Sequence, residues 1–239
     1  MALCAAGTAG KGTVAAISAL HTILLTRSTQ ASPFAPAFLA AFTCIVAPED
    51  DDGSDAPNDL ILASMSVLLG RLLLVAPGMF ASVVQRASSN LQLPDAHVHF
   101  CSRWLALADS IMLSSHRKLT CLGLVSFLSL DAAFLPLGPE ILSYCVGQLA
   151  ELNELAPPSG ELPEVAVGVP LQASGEHAAF AKRLAESGID SIPAMPLLPL
   201  LKERIAAAAN VHGQRFHTML ASADVTVLND VQRALGPIV

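Results

Sequence analysis

Charged residues are scarce in this sequence, and aromatic residues are scarcer still. Of its 239 residues, 14% are charged, 5% are aromatic and 53% are hydrophobic. A chain this apolar can bury a sizeable core, which excludes intrinsic disorder as its general state. Long runs of Val, Ile and Thr are also missing, whereas Ala and Leu dominate. Because Ala and Leu lose little side-chain freedom in a helix, this composition predicts an all-α protein.

Metal-ligand and nucleophile patterns are missing as well. His97 and His99 are two positions apart, and His212 and His217 are five apart, so neither pair shares one face of a helix. No G-x-S-x-G elbow is present to hold a catalytic serine. The five cysteines are odd in number and contain no C-x-x-C pair, which favours reduced, buried thiols in the cytosol or nucleus. We therefore predict no catalytic residue, no cofactor and no metal, and the protein is predicted not to be an enzyme.

The most apolar stretch, residues 60–84, is long enough to cross a bilayer. However, Arg71 lies near its middle, and Pro77-Gly78 interrupts it. A charge at membrane depth is costly, and proline breaks a helix. The stretch is therefore predicted to form two buried helices that touch neighbours on several sides, with no membrane insertion.

The formal net charge of −7 comes mostly from one short segment. The remaining 14 acids of the chain nearly balance its 13 bases, and this distribution argues against a nucleic-acid ligand. The segment is favoured as a solvated break between repeats. Alternatively, it contacts a basic cargo segment or a basic patch on a GTPase. Its acids are Glu49, Asp50, Asp51, Asp52, Asp55 and Asp59, of which the first five are the candidate partner-contact residues.

Apolar residues that recur every three or four positions predict a series of helices separated by Pro, Gly and Ser. The predicted helix pairs start at residues 11, 58, 95 and 137, and their spacings of 47, 37 and 42 are close to the period of HEAT and armadillo repeats, about 40–47 residues. Residues 1–155 are therefore predicted to form HEAT-like helix pairs of an α-solenoid. Residues 156–192 are predicted to be a linker that can contain a short helix at 176–187.

Residues 193–239 are predicted to be carboxy-terminal capping helices, because a terminal repeat needs one apolar face and one polar face. Lys202, Glu203 and Arg204 are predicted to face away from the apolar stripe. The predicted apolar residues are Leu197, Leu198, Leu201 and Ile205 in one helix and Val225, Leu228, Val231 and Leu235 in the other.

A glycine-rich stretch, Gly7–Thr13, resembles part of the phosphate loop of nucleoside monophosphate kinases, with Lys11 as its basic residue. Such loops hold phosphates with backbone N–H groups at a helix start. No strand of adequate length is predicted before it, so a glycine-rich terminus that leads into a helix is the favoured interpretation. A nucleotide kinase with a degenerate phosphate loop is the least favoured alternative.

Several blocks along the chain resemble the last repeats of importin-eleven-type karyopherin-β receptors. One is Arg103-Trp104-Leu105 with Asp109, followed by residues 116–124, whose sequence is His-Arg-Lys-Leu-x-x-Leu-x-Leu. The others are residues 68–74 and the closing block of residues 200–204, Phe216 and residues 225–235. The resemblance covers roughly residues 60–237.

The resemblance implies a HEAT-repeat protein that carries protein cargo through nuclear pores, contacts nucleoporins and releases cargo on binding Ran-GTP. It implies residence in the cytoplasm and the nucleus, including the nuclear pore. Receptors of this family are several times longer, and the amino-terminal repeats that chiefly contact Ran are missing from this sequence. A HEAT-repeat scaffold of another protein assembly remains the alternative function.

Overall fold

The computed structural model describes residues 10–47, 58–152 and 190–236. Within these ranges the chain forms ten α-helices and five short 3₁₀ helices, and none of these residues forms a strand. The prediction of an all-α fold is therefore confirmed. The α-helices are α1 Gly10–Arg27, α2 Ala35–Val46, α3 Asp59–Val75, α4 Pro77–Leu91, α5 Ala96–Ala106, α6 Ser114–Phe127, α7 Gly138–Glu151, α8 Leu197–His212, α9 Gln214–Ser222 and α10 Val225–Leu235.

The chain divides into two compact units, Met1–Ile111 and Met112–Val239. The first contains α1 to α5, and the second contains α6 to α10. The predicted division into 1–155, 156–192 and 193–239 stays a prediction. Most of the predicted linker, including the helix at 176–187, lies outside the described residues.

Helix α3 is enclosed within the first unit. It contacts α1, α2 and α4, and eleven of its 17 residues are buried. A helix with neighbours on several sides needs apolar residues around most of its circumference, which explains why the sequence resembles a membrane span. Helix α3 ends at Val75 and α4 begins at Pro77, so the predicted break into two helices is confirmed. Across the described parts of the chain, no helix has both the length and the apolarity needed to cross a membrane.

Helices two positions apart along the chain pack together in the first unit. Helix α1 contacts α3, and α2 contacts α4. When helix pairs stack, first helices pack on first helices and second helices on second helices, since no pair can bury its apolar faces alone. These contacts are the ones expected from predicted pairs that start near residues 11 and 58.

Aromatic side chains join α2, α4 and α5. The rings of Phe42 and Phe100 stack with their centroids 5.0 Å apart, and Phe80 lies 5.8 Å from Phe100. Trp104 extends the cluster at 5.6 Å from Phe100. All four side chains are buried, so Trp104 belongs to the core of the first unit.

Helix α6 is enclosed within the second unit. It contacts α7, α8 and the 3₁₀ helix Ile192–Ala194. Every residue from Leu119 to Phe127 is buried. The second half of α6 is largely apolar around its circumference, and these neighbours explain why.

Two contacts show that α6 and α8 run parallel. Near the start of α6, the Lys118 side chain donates a hydrogen bond to the backbone oxygen of Met195, just before α8, at 3.1 Å. Beyond the end of α6, the backbone oxygen of Leu128 lies 2.8 Å from Nε2 of His212, the last residue of α8. Two helices whose starts meet and whose ends meet share one direction.

Helix α7 runs antiparallel to α6. Arg117, near the start of α6, forms an ion pair with Glu151 at the end of α7. The second unit resembles the first in that α6 packs on α8, two helices further along the chain. It differs in that α7 packs mainly on α10, three helices further along, and less on α9.

The closing helices have the predicted apolar and polar faces, with one exception. Residues 202–204 are exposed, whereas Leu197, Leu201 and Ile205 are buried and Leu198 is half-buried. In α10, Val231 and Leu235 are buried and Leu228 is half-buried, but Val225 is 71% exposed. The prediction for Val225 is wrong, because this residue is the first of α10 and its side chain is exposed to solvent.

The prediction of reduced, buried thiols holds for some of the cysteines. Cys101, Cys121 and Cys145 are buried thiols, as expected for reduced cysteines that pack as small apolar groups. Cys44 is disulfide-bonded. The prediction of reduced thiols is therefore wrong at this position.

Candidate functional site

The acidic segment predicted to contact a partner joins α2 to α3. Glu49, Asp50, Asp51, Asp52 and Asp55 lie outside the described residues, so their role stays a prediction. The described flanks are well defined. Helix α2 ends at Val46, and the Asn58 side chain accepts a hydrogen bond from the Leu60 N–H at 2.8 Å, which caps the start of α3.

Asp59 continues this acidic character into the first turn of α3. Its side chain is exposed, and it is the acidic residue of that turn. A carboxylate is favoured at this place, because the first turn of a helix carries the positive end of the helix dipole. Asp59 therefore presents an exposed carboxylate at the carboxy-terminal end of the acidic segment.

The motif around Trp104 is mainly structural. Trp104 is fully buried in the aromatic cluster, Arg103 is half-buried, and Asp109 is exposed in a 3₁₀ helix that packs on α3 and α5. The motif therefore contributes mainly to packing between helices.

The basic residues at the start of α6 are engaged within the second unit. Arg117 pairs with Glu151 of α7, and Lys118 bonds the backbone oxygen of Met195 before α8. The structure shows that both residues link α6 to its neighbours.

The glycine-rich stretch Gly7–Thr13 is described only from Gly10, where α1 begins. A phosphate loop needs a strand before it and a parallel sheet around it. The residues before Gly10 lie outside the described ranges, but the all-α fold of the described chain removes the support for the nucleotide-kinase alternative.

The four histidines His97, His99, His212 and His217 have different surroundings. Nε2 of His212 lies 2.8 Å from the backbone oxygen of Leu128 and thereby closes the end of α6. The ring of His217 makes an edge contact with Phe216. His97 is half-buried and His99 exposed on α5. In the described part of the chain, no three His, Cys, Asp or Glu residues are grouped closely enough to hold a metal ion.

Two structural features were not predicted from the sequence. Arg71 is only 2% exposed although it carries a charge. The bond between His212 and Leu128 joins residues 84 positions apart. A charged residue inside an apolar helix is a sequence signal for an internal polar contact, whereas no sequence signal pairs His212 with Leu128.

Antiparallel helix pairs stacked on one another define a helical-repeat protein. The chain matches the family described as Importin-11-like, TPR repeats, over residues 14–236. Because this match covers nearly the whole chain, the protein belongs to the Importin-11-like family, and the resemblance seen in the sequence is confirmed. TPR, HEAT and armadillo repeats are all built from packed helices, so the family is consistent with the predicted α-solenoid. No curated protein and no solved structure matched the chain.

Proposed function

We propose that this chain serves as a protein-binding, carboxy-terminal segment of a karyopherin-β nuclear import receptor and that it acts without catalysis. The observation that carries the proposal is the family match over residues 14–236. The described helix contacts support it, because stacked helix pairs offer an extended surface to protein partners. Within a receptor, the segment would move between cytoplasm and nucleus, with nucleoporins and protein cargo as partners.

The proposed cargo contact is the acidic segment from Glu49 to Asp59. Six acids fall within these eleven positions, and no base lies among them. Opposite charges guide association and favour matching partners, so a Lys- and Arg-rich cargo peptide is the expected ligand. The attraction should weaken with added salt, since exposed charges are screened over about 8 Å at physiological ionic strength.

A charge-neutralised variant tests this contact. Its five substitutions are Glu49→Gln, Asp50→Asn, Asp51→Asn, Asp52→Asn and Asp55→Asn. Binding of a Lys- and Arg-rich peptide, measured by fluorescence anisotropy at low salt, should weaken by roughly tenfold or more, because most of the local negative charge is lost. Equal affinity for the variant and the natural chain would reject the segment as the cargo contact.

A control variant neutralises exposed acids elsewhere in the described chain. It should bind the peptide nearly as well as the natural chain, because only dispersed charge is removed. A similar loss in both variants would show that net charge, and not the acidic segment, governs binding. The control substitutions are Asp95→Asn, Asp109→Asn, Glu140→Gln and Glu203→Gln, all at exposed positions.

The link to Ran is tested in a receptor that also contains the amino-terminal repeats. Cargo captured by that receptor should be released when Ran-GTP is added and retained when Ran-GDP is added. Capture that is insensitive to both forms would instead favour the alternative of a helical-repeat scaffold in another protein assembly.

A further inference from the structure

Two buried polar side-chain oxygens on α6 and α7 have no hydrogen-bond partner among the described residues. Thr120 of α6 is 0% exposed, and Gln148 of α7 is 7% exposed. Within the described ranges, neither Thr120 Oγ1 nor Gln148 Oε1 has a hydrogen-bond partner. Buried polar groups in folded proteins are nearly always satisfied by protein or by ordered water, because an unmade hydrogen bond is costly.

The ion pair between α6 and α7 places these two side chains opposite each other. Arg117 of α6 pairs with Glu151 of α7. Because the helices are antiparallel, three positions forward from Arg117 correspond to three positions back from Glu151. These steps lead to Thr120 and Gln148. Residues three apart share one face of a helix, so both side chains lie in the α6–α7 interface.

A second contact supports the same register. Cys145 Sγ of α7 lies 3.8 Å from the backbone oxygen of Cys121 of α6. Cys121 follows Thr120 directly, and Cys145 precedes Gln148 by three positions on the same helix face. The two polar side chains therefore lie between the exposed ion pair and this buried cysteine contact.

We propose that Thr120 and Gln148 bind one internal water molecule between α6 and α7. Water can donate a hydrogen bond to Gln148 Oε1 and exchange a second one with the Thr120 hydroxyl, which both donates and accepts. Buried waters typically make about three hydrogen bonds, and the free lone pair of a helix carbonyl can supply the third. The packing of α6 on α7 then depends on a bound water molecule as well as on apolar contacts.

The substitution Thr120→Val in the full chain tests the proposal through the sign of its effect. Valine has nearly the same shape as threonine but cannot bind water. If water is bound, the substitution removes one of its ligands and lowers the midpoint of urea unfolding. If the hydroxyl is unsatisfied, valine removes a desolvation cost and leaves the midpoint unchanged or raises it. The second result overturns the proposal.

Gln148→Met provides a second, similarly shaped variant. With bound water, Gln148→Met alone lowers the midpoint. The double variant lowers it by less than the sum of the single effects, because both then remove the same water. Additive effects would overturn the proposal.

Ser126→Ala is the matched control on α6. Ser126 is 6% exposed, and its hydroxyl already bonds the Leu122 backbone oxygen at 2.6 Å. The effects of Ser126→Ala and Gln148→Met on the unfolding midpoint should therefore be additive. A coupling as large as that of Thr120→Val would overturn the proposal, because it would show a general effect on α6.

Direct observation separates bound water from a bond between the two side chains. A high-resolution crystal structure of the full chain should show water density within hydrogen-bond distance of Thr120 Oγ1 and Gln148 Oε1, and this density should be lost in Thr120→Val. A direct hydrogen bond between the two side chains, with no water, would overturn the proposal even if both substitutions destabilise the protein.

Discussion

Lys118 donates a hydrogen bond from Nζ to the backbone oxygen of Met195, which lies 77 residues further along the chain, at 3.1 Å. The bond ties the start of α6 to the start of α8. A basic side chain is disfavoured by the dipole at the start of its own helix, and a carbonyl partner offsets this cost. The residue that the family motif supplies at this position therefore links two helices.

Lys118→Met should lower the free energy of unfolding by about 1 kcal/mol, because it removes the donor while the apolar stem remains. Urea unfolding followed by circular dichroism gives this value. Lys202→Met is the control, since Lys202 is exposed on α8 and surface substitutions usually change stability by less than about 0.5 kcal/mol. Equal effects of the two substitutions would contradict a specific role for the bond.

Phe100→Ala should destabilise the first unit strongly. Phe100 is 0% exposed, and its ring contacts those of Phe42, Phe80 and Trp104. Removing a buried aromatic ring typically costs about 3–5 kcal/mol, because apolar contacts are lost and a cavity remains. Phe34→Ala is the control, since Phe34 is 38% exposed. Thermal unfolding of both variants should show the larger loss for Phe100.

Gly138→Ala should destabilise the contact between α7 and α9. A Cβ atom at Gly138 would lie 2.6 Å from Met219 Sδ, so the methionine must move. Overpacking typically costs about 1–3 kcal/mol, and we expect the low end of this range because the atoms that clash are the flexible end of the methionine side chain. Gly147→Ala, in the same helix, meets nothing within 4 Å and should stabilise the protein by about 0.5–1 kcal/mol through helix propensity.

The Gly138 effect should shrink in a Met219→Ala background, because the clashing atoms are then absent. Chemical unfolding of the two single variants and the double variant measures this coupling. An unchanged cost of Gly138→Ala in that background would assign the effect to the backbone and not to Met219.

The stability of the protein should fall at high pH because of Cys101. Burial raises the pKa of the Cys101 thiol well above its usual range. The unfolded chain loses this proton above about pH 8.5, whereas the folded chain keeps it, so rising pH favours unfolding by up to ~1.4 kcal/mol per pH unit. Urea unfolding at pH 8 and pH 10 should show this loss, and Cys101→Ala should have a shallower pH dependence. Parallel profiles for the two proteins would contradict the assignment.

Helix α10 should lose protection at low pH because of Asp224. The Thr226 N–H donates a hydrogen bond to Asp224 Oδ1 at 2.7 Å. This bond, followed by the Thr226 side-chain bond, lowers the pKa of Asp224. The stabilisation is therefore present above the pKa of the unfolded chain and is lost as the pH falls through the folded-state pKa. Hydrogen exchange of the α10 amides should accelerate over this range, and Asp224→Ala should remove the pH dependence.

Helix positions could largely be predicted from sequence where apolar periodicity and proline agree. Pro77-Gly78 was predicted to interrupt the apolar stretch, and α3 indeed ends at Val75 while α4 begins at Pro77. The start of α6 is less evident in the sequence, because Ser114 and Ser115 are both residue types that can cap a helix. The helix instead begins at Ser114 without a side-chain cap. A cap contributes only about 1 kcal/mol, so contacts with neighbouring helices can decide where a helix starts.

For the candidate partner-contact site, the sequence could predict only that negative charge is concentrated in one segment. The acids between Glu49 and Asp59 are evident in the sequence, whereas their partner depends on shape as well as charge. The pairing of helices was also hidden, because periodicity shows which face of a helix is apolar and not which helix covers it. His212 illustrates this, since its partner, the backbone oxygen of Leu128, belongs to a residue 84 positions earlier in the chain.

The single tryptophan and the single tyrosine also allow unfolding to be followed by intrinsic spectroscopy. The sequence contains one tryptophan and one tyrosine. Trp104 lies in the buried cluster of the first unit, and Tyr144 lies on α7 of the second. Tryptophan emission and tyrosine absorbance therefore distinguish the two halves without any attached dye, so the order in which they melt can be recorded in a single sample.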